Sequence, residues 1–238
     1  MDKKKTSLYL KCKDHTVSGE TFSLVWHEKY KMLCTDPAPD VKKLPDYYQS
    51  EDYISHTDSR RSLFEKMYHI VKHYALRQKL KYIVSGNQGN GKLLDIGAGT
   101  GDFLNVAKNN GWEVEGIEPS DAARRRSEEK GITLHEKTDP QFMETYESGF
   151  DVITMWHVLE HVPELQIQIV QLKALLRPNG TLFIAVPNFR SYDATHYGKF
   201  WAAYDVPRHL WHFSADAIKA RRQYRHSRPL RKIRYHVS

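Results

Sequence analysis

The sequence predicts an α/β protein: a doubly wound, mostly parallel sheet carrying a small N-terminal β/helical appendage. Three observations predict it. Leu93-Leu94-Asp95-Ile96 reads as a buried strand running into three glycines at alternate positions (Gly97, Gly99, Gly101), then into the helical pattern of Phe103, Leu104 and Ala107. A second strand, Glu113 to Ile117, ends in an acid, Glu118, 21 positions after Gly97. From Lys92 onward strand and helix patterns alternate, the signature of parallel βαβ units.

In chain order, residues 1–50 read as short strands and turns, Ser7–Lys11 and Thr21–His27, before a Pro37-Ala38-Pro39 turn. Cys12-x-x-His15 and His27-x-x-Tyr30, with Cys34 nearby, have the outline of two metal knuckles. Zinc wants four nitrogen or sulfur ligands, and a tyrosine stands at one of the four places, so this element is expected to be degenerate and metal-free. Residues 51–88 form a connector and helical lid. Asp46-Tyr47-Tyr48 to Tyr53-Ile54 is aromatic and acidic, and a helix from Ser59 carries Leu63, Phe64, Met67, Ile70, Val71 and Tyr74 at core-facing spacing. The Ser85–Gly91 turn opens the main domain, residues 89–218. Strands are expected at 92–97, 113–117, 132–135, 150–155 and 181–186, and helices at 101–110, 121–130, 163–176 and 214–222. Ligand sites of such sheets lie beyond the carboxyl ends of the strands, where the glycine loop and Glu118 both fall.

The glycine spacing narrows the ligand. A dinucleotide fingerprint G-x-G-x-x-G would put its third glycine at position 102, which is Asp102. The actual pattern, Asp95-x-Gly97-x-Gly99-x-Gly101, resembles motif I of class I S-adenosylmethionine-dependent methyltransferases. A second stretch, Phe150-Asp151-Val152-Ile153-Thr154-Met155-Trp156-His157-Val158-Leu159-Glu160-His161-Val162-Pro163, resembles their motif IV, in the form found in ubiquinone-biosynthesis O-methyltransferases and bacterial relatives. Leu175-Leu176-Arg177-Pro178-Asn179-Gly180 matches too, and the resemblance covers about residues 92–213.

The resemblance implies a Rossmann-like methyltransferase sheet, S-adenosylmethionine as cofactor, and a cofactor site of Asp95, Gly97, Ala98, Gly99, Gly101, Phe103, Glu118, Pro119 and Trp156. Asp95 would steady the loop and the cofactor's ammonium side. Glu118 also stands where ribose hydroxyls want an acceptor. In the resembling family the 51–88 segment often lids the cofactor, which offers Tyr47, Tyr48 or Tyr53 as contacts. If the acceptor is a hydroxyl, a base must remove its proton, and histidine suits the task; the candidates are His157 and His161. Equally, Glu160 and His161 simply cap the following helix. Some quinone O-methyltransferases place carboxylate and histidine metal ligands here, but the first ligand position would be His157, an acid in those relatives. No metal is therefore expected. Relatives also share the aromatic insertion Trp201…Asp205-Val206-Pro207-Arg208-His209-Leu210…Phe213-Ser214. It offers Arg208 and His209 as acceptor contacts, the alternative being that Arg208 pairs with Asp205 to fold the loop.

Charge and composition exclude other classes. The net charge of +7 is concentrated in residues 219–238, which hold eight basic residues and no acid; the remaining 218 carry 28 basic and 29 acidic groups. A neutral body argues against a nucleic-acid binder, and no apolar run reaches the length of a membrane span. Two cysteines make no disulfide framework, so a cytoplasmic protein with a small-molecule acceptor is expected, bound to neither nucleic acid nor membrane. Residues 219–238 read as an irregular basic tail, in place of two further strands that the family would add. The sheet would then have five strands and an exposed edge. The expected function is S-adenosylmethionine-dependent methyl transfer to a small-molecule acceptor, at a hydroxyl, the alternative being a cofactor-binding but catalytically incomplete relative.

Overall fold

The computed structural model describes residues 6–48, 63–221 and 232–237. Tyr53 and the expected helix start at Ser59 lie outside them. The chain forms two sheets. The N-terminal one is antiparallel: β1 (Thr6–Lys13), β2 (Thr21–His27) and β3 (Met32–Asp36). Its fourth strand, β8 (Trp211–His212), comes from the far end of the aromatic insertion and pairs with β3. The appendage is thus completed by residues about 180 positions downstream in sequence, as the Leu33–His212 pairing requires. Cys12, Phe22, Leu24 and Leu33 form its core with Phe189, Tyr204 and Val206 of the insertion. Cys12 is buried, and that burial pushes its thiol up to about 11.

The main sheet is wholly parallel, in the order β5-β4-β6-β7-β9. The helix α1 (Leu63–Asn87) leads into β4 (Lys92–Ile96), α2 (Asp102–Lys108), β5 (Glu113–Ile117), α3 (Asp121–Glu128) and α4 (Pro140–Thr145). β6 (Phe150–Trp156), α5 (Leu165–Leu175), β7 (Leu176–Val186), α6 (Tyr192–Tyr197), β8, α7 (Ala215–Arg221) and β9 (Lys232–Val237) complete it. Both faces are covered, as parallel sheets require. One face packs Leu94, Ile153, Met155, Leu182 and Ile184 against Leu165, Leu172 and Leu175 of α5. The other packs Leu93, Val152 and Phe183 against Ile83 of α1 and Phe103, Leu104 and Ala107 of α2. Chain order reverses between β4 and β6, and the crevice beyond their carboxyl ends is where a doubly wound sheet takes its ligand.

Three expectations are corrected. The segment at 132–135 is not a strand; it makes a single bridge, Ile117 to His135. The tail is not irregular throughout: β9 runs parallel to β7 from Thr181↔Lys232 to Val186↔Val237, so β7 is not the exposed edge. Lys232-Ile233-Arg234-Tyr235-His236-Val237 alternates polar and apolar with period two, enough for one strand though not for two. Finally, Ile70, Val71 and Tyr74 do not face the core; they are 67%, 63% and 64% exposed. α1 packs through its second half instead, with Leu76, Leu80 and Ile83 spaced to share one face.

Candidate active site

The glycine loop is held from beneath by the neighbouring strand. Gly97 and Ala98 donate their N–H groups to the Ile117 carbonyl at 2.8 and 3.0 Å, and Gly99 donates to Glu118 Oε2 at 2.8 Å. Glu118 Oε1 accepts from Ser120 N at 2.9 Å. Glu118, expected to meet ribose hydroxyls, therefore also pins the loop. A carboxylate accepts about four hydrogen bonds, so both duties fit one side chain. Gly99 has φ +55°, and a Cβ built on it would meet no atom within 4 Å. A side chain there would enter open space above the loop, so the backbone is bare on the side where a ligand would lie. Gly97 has φ +74°, and a Cβ on it would run into Val158, which keeps the motif IV loop in contact with the glycine loop. Gly101 sits at the N-cap of α2 and Pro119 is exposed at the turn into α3.

Asp95, next to last in β4, is 3% exposed and accepts a 2.6 Å hydrogen bond from Thr154 Oγ1. Burial pushes its carboxyl up to about 7, against the opposing pull of Thr154 and the Lys79 ammonium. Lys79 was not identifiable as a site residue from motifs, although it shares the α1 face of Leu76, Leu80 and Ile83. Its Nζ stands 4.8 Å from the centre of the Trp156 ring and 5.9 Å from that of Phe103, and burial lowers its pKa. Phe103 and Trp156 meet edge to face at 5.8 Å. Among the described residues the buried Trp156 Nε1–H has no acceptor. A bare glycine cradle, a strand-end acid and an unpaired indole N–H fit a nucleoside with an amino-acid tail.

Beyond β6 the chain turns sharply. His157 has φ +57°, anchors its N–H on the Ala185 carbonyl at 2.9 Å and leaves its ring 55% exposed. Its Nδ1 is 3.5 Å from Glu160 Oε1. Glu160 is fully buried, and among the described residues neither carboxylate oxygen has a hydrogen-bond partner. His161 is half-buried, its Nδ1 3.0 Å from Tyr48 Oη and 3.1 Å from the Arg208 carbonyl. Its ring meets that of His209 edge-on at 4.5 Å. Burial, and then the nearby His161, hold His209 down at about 4, so its imidazole is neutral.

The insertion does not present Arg208 to an acceptor. Arg208 is 1% exposed: Nε donates to Asp205 at 2.9 Å, Nη1 to the Tyr47 carbonyl at 3.0 Å, and Nη2 to Asp14, Thr16 and Asp205. A guanidinium with all its edges taken staples β1, the Tyr47 turn and the insertion together. His209, 8% exposed, donates from Nδ1 to the Ala203 carbonyl at 2.9 Å and faces Glu160 and His161 rather than an open pocket.

A parallel doubly wound sheet, whose glycine loop is pinned by the acid of the next strand, defines a nucleoside-cofactor-binding α/β domain. Residues 65–223 match the family model described as a methyltransferase domain, and the chain belongs to that family. Its fold is that of the class I S-adenosylmethionine-dependent methyltransferases, and the cofactor that this implies is S-adenosylmethionine. The chain is 38% identical over 107 residues to the ubiquinone biosynthesis O-methyltransferase of Actinobacillus pleuropneumoniae, covering 41% of this chain and 46% of that one. It is 32% identical over 148 residues to the enzyme of the same name from Haemophilus ducreyi, covering 53% and 63%. The chain thus spans about half the length of the curated relatives it matches. A solved S-adenosylmethionine-dependent methyltransferase from Archaeoglobus fulgidus shares the fold, with a TM-score of 0.51 and 22% identity over 66% of this chain and 70% of its own. Among the described residues, no helix is long and apolar enough to cross a membrane.

Proposed function

We propose that the chain transfers a methyl group from S-adenosylmethionine to a hydroxyl of a small molecule. The observation that carries this reading is the Glu118-pinned glycine loop, bare at Gly99 and in contact through Gly97 with the loop that bears His157. Bound S-adenosylmethionine supplies a methyl group on a sulfonium, ready for in-line displacement. The chain's own task is positioning. Asp95, Gly97, Ala98, Gly99, Gly101, Phe103, Glu118, Pro119 and Trp156 form the cofactor site in this reading, with Lys79 as an added contact beside Trp156. His157 is the general base: its exposed ring takes the acceptor's hydroxyl proton. Glu160, 3.5 Å from Nδ1, steadies the imidazolium that results. His161 serves as a positioning residue, since Tyr48 and the Arg208 carbonyl already engage it. Among the described residues the domain plan follows: an N-terminal sheet over 6–36 joined by residues 211–212, a helical connector over 63–87, and the cofactor domain from 89. O-methylation is favoured by the names of the relatives.

The test follows S-adenosylhomocysteine formation with a panel of phenols, diols and sugars beside primary amines. Turnover on a hydroxyl acceptor, lost by about 10²–10⁴-fold in His157→Ala with cofactor binding intact, is the expected result. Turnover on amines alone would overturn the oxygen assignment. Cofactor binding with no turnover on any acceptor would favour the catalytically incomplete relative.

A further inference from the structure

A cavity of about 410 Å³, the size of a small-molecule site, lies between the turn after β1 and the aromatic insertion. Lys13 and His15 line it from the turn, and Lys199, Phe200 and Trp201 line it from the insertion. We propose that this cavity binds a phosphorylated small molecule carrying a planar ring. The phosphate would meet Lys13, His15 and Lys199, and the ring would lie against Phe200.

Charge is the first half of the case. Among the described residues, Lys13, His15 and Lys199 have no acidic partner. The two acids of the same wall are already engaged. Asp14 accepts from the Thr16, Val17 and Ser18 N–H groups and from Arg208. Asp205 Oδ1 accepts from Arg208 Nε and Nη2, and Oδ2 is turned to His209 Nε2 at 3.8 Å. Two ammonium groups therefore line the cavity with no counter-charge left to meet them, and an anion answers that imbalance. Phosphate suits it, because its three oxygens can each take a separate donor.

The second half is aromatic. Phe200 is 66% exposed on the cavity wall. The His15 ring lies 6.2 Å from it, and the Lys199 ammonium stands 5.1 Å from its centre. A bare ring beside paired cations offers a ligand both a stacking surface and a charge anchor. A purely apolar ligand would leave both lysines unanswered, and a bare phosphate would leave Phe200 in water. Lys13 and His15 belong to the appendage and Lys199 and Phe200 to the insertion, so the ligand would bridge the two segments that Arg208 already staples. The inference stands apart from the methyl-transfer reading, because binding is measured without turnover.

The experiment is calorimetric titration of the full chain with phenyl phosphate, beside phenol and inorganic phosphate, at low ionic strength. It is repeated with S-adenosylhomocysteine present to fill the cofactor crevice. The expected result is binding of phenyl phosphate with a Kd on the order of 100 μM, about tenfold tighter than either fragment. That binding should be unchanged by S-adenosylhomocysteine and weakened by added salt. The double variant Lys13→Glu, Lys199→Glu should lower the affinity by about tenfold or more. Phe200→Ala should reduce it to that of inorganic phosphate. All three side chains are exposed, so the variants should keep the wild-type Tm. Wild-type protein that binds no phenyl phosphate, or binds phenol as tightly, overturns the proposal, whatever the variants do. Binding lost when S-adenosylhomocysteine is present puts the probe in the crevice and overturns it equally. Undiminished binding by the folded double variant overturns the anion assignment, and undiminished binding by Phe200→Ala overturns that of the ring.

Discussion

Arg208 shows what a single side chain can hold. Its guanidinium is 1% exposed and spans Asp205, the Tyr47 carbonyl, Asp14 and Thr16. Removing one partner of a buried ion pair strands the other charges, at a cost of about 3–5 kcal/mol. Arg208→Ala should therefore lose about that much stability in urea unfolding. Arg208→Lys should recover little of it, because an ammonium cannot span the fork. A loss under about 1 kcal/mol would mean that Arg208 is not the staple it resembles. The residues of the glycine loop were legible because their pattern is local: Asp95, Gly97, Gly99 and Gly101 fall within seven positions. Of Arg208, only the local pair with Asp205 was legible; its bond to Asp14 and the meeting of His209 with Glu160 were not, because those partners are 194 and 49 positions away. Thr154 was overlooked for a different reason. It is a lone hydroxyl in the apolar strand β6, and that polar interruption was the available sign that a buried acid stands opposite.

At the level of elements, the first half of α1 is tied to the main domain by one acid, in addition to the packing of Leu76, Leu80 and Ile83 in its second half. Asp102, at the start of α2, pairs with Lys72 of α1 at 2.7 Å and with Lys130 at 2.9 Å. Burial raises the Asp102 pKa, but Lys72, Lys130 and Thr100 outweigh it and hold the carboxyl at about 2, below its ordinary 3.8. A depressed folded-state pKa contributes stability above the unfolded value, and that contribution is lost as pH falls through the folded one. The clasp should thus be intact at pH 5 and should fail between about pH 4 and pH 2. Protection factors of α1 amides, referred to the intrinsic exchange rate at each pH, should fall over that window in the wild type. In Asp102→Asn protection should already be low at pH 5; an unchanged variant would deny the clasp its role. The strands beside the glycine loop were legible from their apolar runs. The packing face of α1 was not, since Ile70, Val71 and Tyr74 fit the same helical period as Leu76, Leu80 and Ile83 and only the sheet decides between them. β9 was hidden by Lys232 and Arg234, whose charge masked a short alternation of Ile233, Tyr235 and Val237.

Across the whole molecule, the two sheets are one construction. The insertion between β7 and α7 gives its last strand to the N-terminal sheet and its Arg208 to β1, and its His209 meets the loop after β6. The segment that walls the crevice is therefore braced from both sides, while the cradle at Gly99 stays open. That division of rigidity suits a site that must hold a cofactor in fixed relation to the loop bearing His157. The most direct measurement is calorimetric titration of the full chain with S-adenosylmethionine, beside Gly99→Arg. At φ +55° the arginine costs about 1 kcal/mol of stability, and its side chain fills the cradle. Binding with a Kd on the order of micromolar in the wild type, lost in a variant that remains folded, is the result this account predicts. Equal binding by both proteins, or none by a folded wild type, would contradict it.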